Sequence, residues 1–170
     1  MPATRSPLGA LARGVAAGVA GTAALTAVQT AVAIKRGSSA EEAVAPDPPE
    51  SWGDAPAPGQ VGERLLRVLF GRPPSTQNAN TVTNVVHWAY GVGWGGLYGI
   101  VQGSLRARTI VAGTAFSGVV VASAYTVLPA MRIYDKPWEY APSTLAKDAG
   151  YHLVYGLTVA GAYRLLDRSP

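Results

Sequence analysis

The 170-residue chain suits one domain by length, yet only 14% of it is charged, against roughly 25% in an ordinary soluble domain. With 20 glycines but only two phenylalanines and two methionines, it is too poor in large side chains for a good water-soluble core. It suits helices that approach closely in lipid, where small residues make the contacts. The absence of cysteine excludes disulfides, Cys-ligated zinc and thiol catalysis, and a net charge of +4 fits basic residues flanking membrane spans better than nucleic-acid binding.

The first uncharged stretch, Gly14 to Ile34, has only threonines and Gln29 as polar interruptions. At about 1.5 Å per residue it crosses a hydrocarbon core of about 30 Å. A signal peptide is the rival reading, with Arg5 and Arg13 as its basic region and Ala31-Val32-Ala33 as its cleavage site. The apolar run is long for that, and Lys35 and Arg36 would directly follow the cut.

A polar segment follows. Its first part, 35–58, is rich in Pro, Gly, Ser and acids, cannot bury enough apolar surface to order itself, and reads as a flexible loop. Residues 59–72 behave differently. In VGERLLRVLFGR, helical spacing puts Val61, Leu65, Leu66, Val68 and Leu69 on one side and Glu63, Arg64 and Arg67 on the other. This predicts a short amphipathic helix, lying in a membrane interface or capping the ends of the spans.

Three further apolar stretches run over 82–101, 109–130 and 149–166. In lipid such segments are forced to be helical, because every backbone polar group must find its partner internally. Between the last two lies the loop 132–148, RIYDKPWEYAPSTLAKD, whose Tyr134, Trp138 and Tyr140 suit an interface. The expected architecture is therefore all-α: one integral membrane domain over 1–170, a four-helix bundle of two tandem helical hairpins with a short interfacial helix.

Basic residues set the expected orientation. The N-terminus, the 102–108 turn and the C-terminus share one side, with Arg5, Arg13, Arg106, Arg108, Arg164 and Arg168 against the single acid Asp167. The other side spreads its basic residues over longer loops and holds the remaining acids. Both termini are expected in the cytoplasm of a bacterial cell, with the spans in its plasma (inner) membrane.

The only two histidines open matching motifs, HWAYGVGWGGLY from His87 and HLVYGLTVAGAY from His152. The shared pattern is H-x-x-Y-G-x-x-x-[G/A]-G-x-Y. Chance gives each histidine the Tyr and Gly at these offsets with a joint frequency of roughly 3 in 100,000. VAGTA also recurs at 19–23 and 111–115, and PST at 74–76 and 142–144. The chain thus reads as a duplicated hairpin with the polar segment inserted in the first copy, and a pseudo-twofold axis along the membrane normal is expected.

Helical spacing gathers the motif on one face. Gly91, Gly95 and Gly99 form GxxxG steps, Gly156 and Ala160 their counterpart, and Gly14 and Gly18 a comparable face on the first span. Such grooves admit a neighbouring helix. Tyr98 and Tyr163 fall towards the inner surface, where tyrosine anchors. His87, Tyr90, His152, Tyr155, Asp148 and Glu139 make a candidate polar site near the outer surface. Two readings of it stay open: hydrogen-bonded contacts between spans, or histidines that line a path or sense external pH.

No catalytic motif is present, and a membrane enzyme using His152 and Asp148 would need a lateral cavity at those residues. No HExxH spacing points to a metal, no GxSxG elbow to a hydrolase, and GVGWGG lies inside a span instead of between a strand and a helix. No cofactor, catalytic residue or nucleic-acid partner is expected. The expected partners are the bilayer and, by self-association or otherwise, other membrane proteins.

Through HWAYGVGWGGLYG, PWEYAPST and HLVYG, the chain resembles the YagU-like family of small bacterial inner-membrane proteins over most of 12–166. The resemblance implies a Gly/Ala-rich first span, a Pro-rich loop with an amphipathic stretch, and two H-x-x-Y-G spans. It implies no reaction, and a link to acid tolerance in one branch.

Overall fold

The computed structural model describes residues 6–105 and 107–167, so Arg5, Arg106 and Arg168 lie outside the described residues. Its regular elements are all helical: α1 (Pro7–Lys35), α2 (Ala40–Val44), α3 (Ala57–Phe70), α4 (Ala79–Leu105), α5 (Thr109–Ala130) and α6 (Pro142–Asp167). Single 3-10 turns occur at Trp52–Asp54, Thr76–Asn78 and Pro137–Glu139. Local chemistry sets several ends. Ser6 accepts from the Gly9 amide at 3.1 Å and Pro7 fills the first turn of α1. Gly71, at φ 73°, supplies the left-handed residue that closes α3.

α1 and α5 are long and apolar enough to cross a membrane. α4 and α6, 27 and 26 residues long, fall short of the same mean hydropathy, because histidine, tyrosine and glycine in both, tryptophan and asparagine in α4, and Arg164 in α6 dilute their aliphatic residues. Four stretches were expected to qualify, and two do.

α1 is the central helix, packed along α4 on one side and α6 on the other, while α5 packs on α6. Backbone meets backbone in the first of these contacts. A Cβ on Gly95 would lie 2.6 Å from the Gly14 carbonyl oxygen and 2.7 Å from the Gly18 nitrogen. Helices whose side chains interdigitate sit about 8–10 Å apart, and only the absence of side chains allows this closer approach.

The α5–α6 contact repeats the α1–α4 contact. A Cβ on Gly18 would fall 2.9 Å from Gly91 O and 3.1 Å from the Cα atoms of Val92 and Gly95. A Cβ on Gly113 would fall 3.0 Å from Gly156 O, 3.2 Å from Leu157 Cα and 3.0 Å from Ala160 Cβ. Those three partners are the residues that the histidine alignment pairs with Gly91, Val92 and Gly95. One turn later, Thr22 covers Gly91 and Ser117 covers Gly156. Each hydroxyl donates back to its own helix, Thr22 to Gly18 O and Ser117 to Gly113 O, both at 2.8 Å, so neither is left unpaired in apolar surroundings. The true correspondence between α1 and α5 is therefore Gly18–Thr22 with Gly113–Ser117. The VAGTA match puts these helices three residues out of register.

One position breaks the symmetry. The residue just before the hydroxyl is Gly21 in α1 and Phe116 in α5. Gly21 lets α1 press onto Tyr155 and Val159 of α6. Phe116 instead holds α5 away from α4 and fills the gap with rings, at 4.9 Å from Tyr98, 5.7 Å from Tyr155 and 6.1 Å from Trp94 between centroids. α4 and α5 thus meet mainly through aromatic side chains.

Tyr98 and Tyr163, expected towards the inner surface, are buried, 5% and 3% exposed. They face each other edge-on at 5.7 Å. The duplicated motif places them on the packed face, and that face closes around them.

α3 departs from its expected two-sided pattern. It packs on the start of α4 through Gly59 against Thr83 and Gly62 against Val82 and Val86. Glu63, expected outward, is buried beside this contact and paired with Arg67 at 3.2 Å. Arg64 donates to the Met131 and Arg132 carbonyls just past the end of α5, where a cation complements the helix dipole. Leu65, Val68, Leu69 and Phe70 remain exposed. The preceding 35–58 segment, read as a flexible loop, contains α2 and is tied at several points. The Trp52 indole donates to Pro74 O at 2.9 Å, Asn80 donates to Pro46 O, and Gln60 donates to Gly53 O and Ala55 O.

Candidate functional site

The two histidines have different surroundings. His87, half-buried on α4, meets Thr26 of α1 at 3.3 Å through Nε2. Thr26 lies one turn beyond Thr22 on the face α1 turns to α4. His152, half-buried near the start of α6, has Nδ1 2.9 Å from the Asp148 carbonyl oxygen and 3.7 Å from its carboxylate.

The tyrosines of the motif also diverge. Tyr155 is buried and donates to Gly91 O at 2.6 Å, joining the two copies. Tyr90 is 45% exposed and meets Ser123 of α5 at 3.0 Å. Before His87, the position matching Asp148 is Thr83, which α3 covers through Gly59. The inserted helix therefore replaces a carboxylate with a packing contact.

Tyr125, Tyr134 and Tyr140 form a ring cluster with centroids 5.6–6.1 Å apart. Burial first, then the charges of Asp148 and Tyr140, push the Tyr134 hydroxyl above its ordinary value. Tyr134 and Tyr140 thus pack on the end of α5, while Trp138 is 77% exposed with Lys136 5.7 Å from its ring centre. Glu139 does not join this cluster. It accepts from the Lys136 amide at 3.0 Å and serves its own turn. Among the described residues no group of three His, Asp or Glu lies together as a metal site. His87, Tyr155, His152 and Asp148 therefore all hold neighbouring helices or their own backbone.

Two clefts lie at the opposite end, where α4 turns into α5. One of about 500 Å³ is lined by Gln102, Ala107, Arg108, Thr109, Ala160, Tyr163, Arg164 and Asp167. Its neighbour of about 400 Å³ shares Arg108, Thr109 and Arg164 and adds Ile110 and Val111. Sequence reading used these arginines only for orientation. Their convergence depends on the short α4–α5 turn meeting the last turn of α6, which no motif announces.

No family model matches the chain, and neither a curated protein nor a solved structure matches it.

Proposed function

We propose that this is a multi-pass protein of a bacterial inner membrane, of the YagU-like type, with no enzymatic activity. Its four long helices would cross the bilayer as a tightly packed bundle, both termini in the cytoplasm and the His152–Asp148–Tyr125 side outermost. One observation carries this reading, the inverted placement of residue types. The buried positions of α1, α4, α5 and α6 are largely Gly, Ala, Ser, Thr and Tyr, whereas Val15, Val19, Leu97, Ile100, Val101, Val111, Val119, Leu153 and Leu157 point outward. A soluble protein does the reverse, and contiguous exposed apolar surface on this scale needs a partner. Lipid is that partner for uncharged helices whose small residues face inward. α4 and α6 cross despite their lower hydropathy, because their polar groups face other helices.

The outer face, with its tyrosine cluster, the 132–148 loop and α3, is the surface offered for interaction or sensing. The competing reading is a small channel or transporter with His87 and His152 lining a polar path. Rings of Trp94, Tyr98, Phe116, Tyr155 and Tyr163 fill the centre below the histidines, which favours a closed structural core. Membrane fractionation tests the proposal. The chain should stay in the pellet after alkaline carbonate washing and enter solution only with detergent. Release by carbonate alone would refute it.

A further inference from the structure

We infer that the paired clefts at the α4–α5 turn bind an anionic phospholipid, its phosphate in the larger cleft and the start of an acyl chain in the smaller. This rests on the membrane-spanning reading.

The charge at the site is arranged for an anion. Arg108 and Arg164 line both clefts and have no acidic partner among the described residues. Arg164 Nη1 lies 3.3 Å from Thr109 Oγ1, which holds its guanidinium over the first turn of α5. That turn has no side-chain cap, so its leading amides still offer donors at the positive end of the helix dipole. The one carboxylate in the cleft, Asp167, is 3.5 Å from Arg13 of α1 and faces a cation already. Gln102 donates to Ala107 O at 2.7 Å and fixes the turn beneath.

A second observation points the same way. Tyr163 forms part of the inner wall, is 3% exposed, and its hydroxyl has no hydrogen-bond partner among the described residues.

A lipid fits better than a free phosphate because the adjoining cleft is apolar. Ile110 and Val111, 75% and 61% exposed, continue it along the outer face of α5. Charge selects among lipids. Two guanidinium groups favour a net-negative headgroup and disfavour one carrying its own ammonium.

The test is native mass spectrometry of the full chain released from micelles with equimolar phosphatidylglycerol and phosphatidylcholine. The wild-type chain should retain phosphatidylglycerol roughly tenfold over phosphatidylcholine. The double variant Arg108→Gln/Arg164→Gln should lose that preference, and Lys35→Gln/Arg36→Gln, at the other end of α1, should keep it. Added inorganic phosphate should not displace the lipid. Equal retention by the wild type, or an unchanged preference in the Arg108/Arg164 variant, overturns the site. Displacement by phosphate overturns the lipid in favour of a soluble anion. A water-soluble chain overturns the spanning reading as well, whereas a membrane-bound chain without preference overturns only the site.

Discussion

Gly95 and Gly156 are where a single side chain does most damage. At Gly95 the obstacles to a Cβ are backbone atoms of Gly14 and Gly18, and at Gly156 they are Ser117 and the Gly113 carbonyl. Backbone cannot rotate away as a side-chain tip can, so the helices must separate. Overpacking of this kind costs about 1–3 kcal/mol or more. Gly95→Leu and Gly156→Leu should each lower the Tm in detergent by several degrees. Gly93→Leu and Gly118→Leu, which meet nothing within 4 Å, should leave it nearly unchanged. Equal behaviour of the two pairs would show that the grooves do not hold the helices together. At this scale the histidine motif was informative, because its spacing put small residues and Tyr155 on one face. It could not show that Tyr98 and Tyr163 meet each other, since that depends on where a second helix lies.

At the scale of elements, the helical character of the chain was legible and the register between copies was not. Uncharged runs of about 20 residues have the length of a helical span, about twice that of a barrel strand. VAGTA was misleading because Gly and Ala recur by composition throughout α1 and α5, while the pairing depends on which glycine lies under which hydroxyl. Phe116 opposite Gly21 was illegible for the same reason: its role depends on the neighbour it holds off. α3 was half legible. Its apolar side was found, but the face that packs is Gly59, Gly62 and Glu63, and two glycines carry no hydropathy signal. Arg64 then links α3 to the end of α5. Arg64→Ala should speed hydrogen exchange of the α3 amides while those of α1 and α6 keep their rates. Unchanged exchange in α3 would mean that its packing on α4 alone holds it.

At the scale of the molecule, the account depends on a bundle with its small and polar residues inside and its aliphatic residues outside, set across a bilayer with both ends of the chain on one side. The natural absence of cysteine makes the most direct test clean. Glu50→Cys lies in the long polar segment and Ala107→Cys in the α4–α5 turn, both exposed. Intact cells expressing each variant are treated with a membrane-impermeant maleimide before and after permeabilisation. Glu50→Cys should label in intact cells and Ala107→Cys only once the membrane is opened. Labelling of both, or of neither, in intact cells would contradict a chain that places these two positions on opposite sides of a membrane, and the reverse pattern would contradict its orientation.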